Sequence, residues 1–284
     1  MIRRSPASPV EDRPRIGPKA SEDEDDFARG RVKSGLTLRT LVPNAVTTAA
    51  MCSGLTGILF AISGVWSLAV GAIVLAGVLD GMDGRIARML RGQSRFGAEL
   101  DSLADSLSFG TAPAIVIYLW SLSAMPRLGW IAALAFAVCA ALRLARFNAR
   151  IDADDQPHKS AGFLTGIPAP VGAGLAFLPF YLWTETGLEV MRDPILVGPW
   201  VALMALLMIS NLATLSWASL KPRRDIRLWL LVFAGLLFAG LLLEPWWTLA
   251  AISLGYLALL PVGWMRYGRV KRQRAQRAVS TDAV

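Results

Sequence analysis

Residues 80–105 read DGMDGRIARMLRGQSRFGAELDSLAD, and they set four aspartates, Asp80, Asp83, Asp101 and Asp105, inside segments otherwise apolar enough to lie in a membrane. A charged side chain at the centre of a membrane helix costs about 2.5–3.5 kcal/mol on insertion scales, and four of one sign also repel one another. Asp80 and Asp83 are three apart and Asp101 and Asp105 four apart, so on helices each pair shares a face, about one turn apart. The residues between Met89 and Phe96, including Arg91, Gly92, Gln93, Ser94 and Arg95, predict a short polar turn. Two antiparallel helices then aim four carboxylates at one space. Carboxylates without His or Cys are hard oxygen ligands, suited to Mg²⁺ or Mn²⁺, and these four could hold and neutralise two divalent ions. The competing reading is a structural ion-pair cluster with Arg85, Arg88 and Arg91, which leaves the small residues unexplained. Gly84 and Ala87 fall on the carboxylate face beside Arg88, and Gly97 precedes Asp101 by one turn. Small residues there open the backbone to a close ligand or let membrane helices pack tightly. Arg88, next to a metal pair, suits a phosphate.

The stretch resembles the signature of the CDP-alcohol phosphatidyltransferase family, D-x-x-D-G-x-x-A-R-x(8)-G-x-x-x-D-x-x-x-D. Asp80, Asp83, Gly84, Ala87, Arg88, Gly97, Asp101 and Asp105 meet it, with eight residues between Arg88 and Gly97. The wider context, FGAELDSLADSLSFGTAPA, then ALRLARFN, then GIPAP, is similar to the serine-accepting bacterial branch of that family. The resemblance runs from about Pro43 to Pro170. It implies that Gly84, Ala87, Arg88 and Gly97 receive the cytidine nucleotide, and that Asn44 and Thr47 in the Pro43-Asn44-Ala45-Val46-Thr47 entrance lie beside it. Capping and interhelical hydrogen bonding explain Asn44 and Thr47 equally well. The chain departs from many relatives at Ala50.

Composition places the chain in a membrane. Of 284 residues, 54% are hydrophobic, and several apolar runs approach the roughly 20 residues that span a bilayer. The expected fold is all-α, a polytopic membrane helix bundle of about eight transmembrane helices, with a six-helix catalytic core and a C-terminal pair. The spans are expected near Leu41–Ser63, Ser67–Met89, Phe96–Leu122, Leu128–Asn148, Phe163–Trp183, Ile195–Leu220, Arg227–Leu243 and Trp246–Met265. Residues 1–38 predict a disordered cytoplasmic tail, 39–222 the core, 223–266 the added pair and 267–284 a basic tail. Cys52 and Cys139 sit in apolar runs and imply no disulfide framework. The net charge of +8 clusters at span ends, so anionic lipid and topology explain it and nucleic acid does not.

Arg143 and Arg146 close the fourth span, three apart on one face. They read either as flanking positive charge or as ligands for an anion, the lipid diphosphate or the carboxylate of an acceptor. His158 and Lys159 fall in a polar loop and read as solvated residues, the alternatives being a His158 that titrates near neutral pH and a Lys159 that approaches the site. Lys and Arg alternate with bare or acidic loops along the chain, which predicts both termini and the aspartates on the cytoplasmic side; the family resemblance implies the inner membrane of a bacterium.

The family resemblance implies transfer of a phosphatidyl group from CDP-diacylglycerol to L-serine, with two Mg²⁺ or Mn²⁺ ions on the aspartates, Asp105 as general base, and a homodimer in membrane lipid. Two alternatives stand beside it. One keeps the chemistry with glycerol 3-phosphate, inositol phosphate or choline as acceptor. The other is an ion transporter using intramembrane carboxylates, which leaves the Gly-x-x-Ala-Arg spacing without a role.

Overall fold

Mean hydropathy decides which segments cross a membrane, and four helices are long and apolar enough: Leu38–Ile62 (α1), Trp66–Leu90 (α2), Arg95–Trp120 (α3) and the fourth helix, Pro126–Ile151 (α4). In the computed structural model, the described residues are 38–90, 92, 94–151, 163–210, 213–215 and 224–260. The N-terminal tail, Arg91, Gln93, the loop with His158 and Lys159, the end of the eighth expected span after residue 260 and the basic tail of 267–284 lie outside them. Beyond α4 come Ala169–Ala176 (α5), Leu178–Thr186 (α6), Pro194–Ile209 (α7), Arg224–Leu243 (α8) and Pro245–Leu260 (α9). With α5 and α6 taken as one broken rod, the described residues form eight helical rods, as the sequence leads one to expect.

Leucines are frequent on the outer surface of the bundle, and alanines are frequent inside it beside large rings such as Phe136, Phe180 and Tyr181. Leu59, Leu142, Leu206 and Leu231 face outward, while Ala69, Ala76, Ala112, Ala133 and Ala140 are buried. Lipid solvates large aliphatic side chains as well as a core does, so close helix contact is left to small residues and to shape. α4 packs most extensively on α7, and α3 also packs against α4. Phe136, Val197 and Val201 are fully buried in that seam.

α3 carries the second half of the aspartate motif, and two local features fix it. Ser94 adopts an extended conformation and accepts a 3.0 Å hydrogen bond from the Gly97 amide, an N-cap that sets where the helix begins. Immediately after Asp105 the helix widens into a π turn over Ser106–Thr111, then returns to α geometry at Ala112. The turn is braced from α1: a Cβ at Gly54 would meet Ser108 Oγ at 2.7 Å, and that hydroxyl donates to the Ala50 carbonyl at 3.4 Å.

Two expected spans are corrected. The fifth does not start at Phe163: Phe163–Thr165 is a short strand (β1) paired antiparallel with Ala213–Leu215 (β2), and the helix begins only at Ala169. Gly166 sits between them at φ 73°, where a Cβ would also meet the Met208 carbonyl, so only glycine makes this bend. Pro179, without an amide hydrogen, then divides α5 from α6 near Phe177. The sixth span ends at Ile209 rather than Leu220, because Ser210 turns into extended backbone leading toward β2.

Candidate active site

α2 and α3 run antiparallel about the turn at Gly92, and this brings the two halves of the motif together. One carboxylate oxygen from each of Asp80, Asp101 and Asp105 lies within 4.8 Å of the others. All three side chains are half-buried. Asp105 Oδ1 is buried and has no hydrogen-bond partner among the described residues. Three like charges and an unsatisfied carboxylate oxygen are costly in such a site, and a hard cation removes the cost through oxygen ligands alone. The residues present therefore fit a divalent ion such as Mg²⁺ or Mn²⁺.

Asp83 is placed differently. It is the most buried of the four, and its Oδ2 accepts a 2.6 Å hydrogen bond from Thr47 Oγ1 on α1. It faces a cleft of about 280 Å³ that also meets Asp101. Asn44, Thr47, Gly84, Ala87, Arg88 and Gly97 all line the same cleft. Their placement follows from three helix segments meeting: the start of α1, the end of α2 and the start of α3. Gly97 is what permits it, since a Cβ there would sit 2.8 Å from Asn44 Oδ1. Arg88 is exposed at the cleft wall, where its guanidinium is free to follow an anion.

Arg143 and Arg146 separate. Arg143 is half-buried, interacts electrostatically with Asp105, and its Nε has no hydrogen-bond partner among the described residues. Arg146 donates from Nη1 to the Ile209 carbonyl at 3.0 Å, tying α4 to the end of α7. Next to it, Asn148 Nδ2 donates to Ser102 Oγ at 2.9 Å, which holds α4 against α3 beside Asp101.

Three features of this site escape the sequence reading. Asn148 stands in the quoted ALRLARFN run, yet nothing in its spacing identifies Ser102 as its partner. The π turn after Asp105 has no sequence mark beyond the small residues of SLSFGT. Tyr256 of α9, in a helix with no polar pattern, interacts electrostatically with Arg143.

Comparison with known proteins bears on the same residues. The family model for CDP-alcohol phosphatidyltransferase matches residues 40–217, and that for CDP-alcohol phosphatidyltransferase 2 matches residues 225–261. The chain is 36% identical over 242 residues to a CDP-diacylglycerol–serine O-phosphatidyltransferase of Mycobacterium leprae, covering 82% of this chain and 77% of that protein. It is 36% identical over 235 residues to the protein of the same name from Mycobacterium tuberculosis, covering 83% of this chain and 82% of that one. A Helicobacter pylori protein of that name is 33% identical over 199 residues, covering 70% of this chain and 81% of its own length.

Proposed function

We propose that this chain, which belongs to the CDP-alcohol phosphatidyltransferase family, transfers the phosphatidyl group of CDP-diacylglycerol to L-serine, giving phosphatidylserine and CMP. The observation that carries the proposal is the meeting of the carboxylates of Asp80, Asp101 and Asp105 beside the cleft lined by Asn44, Thr47, Gly84, Ala87, Arg88 and Gly97.

The cytidine and its phosphate lie in the cleft, against the bare backbone of Gly84 and Gly97 and the methyl of Ala87, with Arg88 pairing to a phosphate oxygen. Asn44 and Thr47 offer hydrogen bonds to the nucleotide side. Asp80, Asp83, Asp101 and Asp105 would hold two divalent ions. Bound there, Mg²⁺ or Mn²⁺ neutralises the diphosphate and stabilises charge on the departing CMP. The serine hydroxyl attacks the phosphorus that bears the diacylglycerol. An Oγ–P bond forms, the P–O bond to CMP breaks, and the hydroxyl proton passes to Asp105, whose Oδ1 has no other partner. Arg143, which interacts electrostatically with Asp105 and whose Nε has no hydrogen-bond partner among the described residues, would pair with the acceptor carboxylate.

Residues 39–222 are assigned to the catalytic core and 223–266 to an added helix pair. Charge alternation between loops supports an orientation with the carboxylate end and both termini on the cytoplasmic side, and the family supports a bacterial inner membrane and a homodimer.

The test is an acceptor screen with purified protein in detergent, CDP-diacylglycerol, and Mg²⁺ or Mn²⁺, reading CMP release. Release with serine alone is expected. Release with glycerol 3-phosphate, inositol phosphate or choline instead keeps the chemistry and changes the acceptor. No release with any acceptor, in folded protein, returns the carboxylates to ion transport.

A further inference from the structure

A second cavity, of about 370 Å³, lies on the membrane side of the carboxylates, walled by α2, α3, α5, α6 and α9. Its neck is set by the motif helices. Gly77 lies three residues before Asp80 on α2, hence on the same face and one turn deeper, and a Cβ on it would sit 3.6 Å from the ring of Phe109, four residues beyond Asp105. From there the walls are almost wholly apolar. Gly174 leaves the middle open, with no atom within 4 Å of where its Cβ would be. At the far end stands Tyr181, 1% exposed, its ring stacked on Trp246 at 6.1 Å and 22°. Leu249, Ile252 and Tyr256 of α9 form the outer wall. From Pro170 to Tyr181, eleven residues along α5 and α6 rise about 16 Å. This is close to half of the roughly 30 Å hydrocarbon core, or one leaflet.

We infer that this slot seats one acyl chain of the lipid donor, with Tyr181 as its floor and α9 as its outer wall, so that it reads chain length. The inference rests on the donor proposed above. Three observations favour a donor chain over a bulk lipid or a polar ligand. The neck opens one turn from Asp80, where the donor phosphates are placed. Apart from Ser253, Tyr256 and the Tyr181 hydroxyl, which has no hydrogen-bond partner among the described residues, the lining offers nothing to hydrogen-bond a sugar or base. The floor is rigid, because Tyr181 is packed by Phe177, Phe180 and Trp246. A rigid end stops a chain that is too long, whereas an open groove between helices would not. α9, which carries no motif residue, thereby becomes part of the donor site.

The test uses the full chain in detergent with matched-chain CDP-diacylglycerols, dioctanoyl and dipalmitoyl, and two readouts: CMP release with serine, and the rise in Tm on adding each donor without serine. Gly174→Leu fills the open middle without a clash. Ile252→Trp, at a position 45% exposed on the lipid side, narrows the outer wall with little risk to folding. Each variant is expected to lower kcat/KM for the dipalmitoyl donor at least about fivefold, and by clearly more than it lowers the dioctanoyl value. Each should also erase the extra Tm rise that the longer donor gives the wild-type protein. Equal losses with both donors, or no change in either variant, overturn the slot. Absence of CMP from wild-type protein with every donor overturns the proposed function instead, and the Tm comparison still decides the slot.

Discussion

Thr47 Oγ1 lies 2.6 Å from Asp83 Oδ2 and 3.1 Å from the Pro43 carbonyl, and its single proton is directed to the carboxylate. This one hydrogen bond joins the first helix to the aspartate motif across 36 residues of sequence. Thr47→Val keeps the shape and leaves Asp83 buried without its donor, so kcat/KM for CMP release should fall about tenfold or more. Thr47→Ser should restore most of it. Equal activity in Thr47→Val and wild-type protein would remove Thr47 from the site.

Asp101 belongs both to the carboxylate cluster and to the cleft wall. Asp101→Asn retains size and loses the charge, so we predict at least about a hundredfold loss of turnover with unchanged insertion in the membrane. Near-normal turnover at saturating Mn²⁺ would contradict its assignment as a ligand.

Removal of divalent ions with a chelator should stop CMP release and lower Tm, because the three carboxylates then repel without compensation. Readdition of Mg²⁺ or Mn²⁺ should restore both. Turnover that persists in excess chelator would exclude metal assistance.

The two arginines at the end of α4 should behave differently. Arg143→Ala removes the guanidinium that interacts electrostatically with Asp105 and is expected to raise the KM for serine with little change in Tm. Arg146→Ala breaks the hydrogen bond to the Ile209 carbonyl and should cost about 1–3 kcal/mol of stability. If Arg146→Ala instead raises only the serine KM, the assignments are reversed.

At the opposite end of α2, Arg192 is sandwiched between Trp66 at 5.8 Å and Trp183 at 5.4 Å, and its Nε donates to the Trp120 carbonyl at 2.9 Å. Arg192→Ala should lower stability by about 2–4 kcal/mol. Arg192→Lys should recover only part, since an ammonium cannot stack as a guanidinium does. Trp66 is about 21 Å from Asp80 along α2, so turnover below the unfolding transition should be unaffected. A large kcat loss in folded protein would show coupling between the two ends.

The sequence by itself determined the eight helical rods and the residues proposed to carry the chemistry. Apolar runs of membrane length leave the backbone no option but helix, and spacings of three and four put each aspartate pair on one face. The breaks at Gly166 and Pro179 were visible as residue types, but not as a strand pair and a divided helix. Only the tertiary structure decided that Asp80, Asp101 and Asp105 converge while Asp83 turns to Thr47. It alone decided that Arg143 faces the site while Arg146 holds α7, and that α9 walls a cavity beside the carboxylates. The physical reason is that periodicity fixes which face of a helix a residue occupies, but not where that helix stands relative to its neighbours. That placement comes from close approaches at small residues, Gly54 on Ser108 and Gly97 on Asn44, whose partners lie about fifty residues away in sequence and leave no periodic trace.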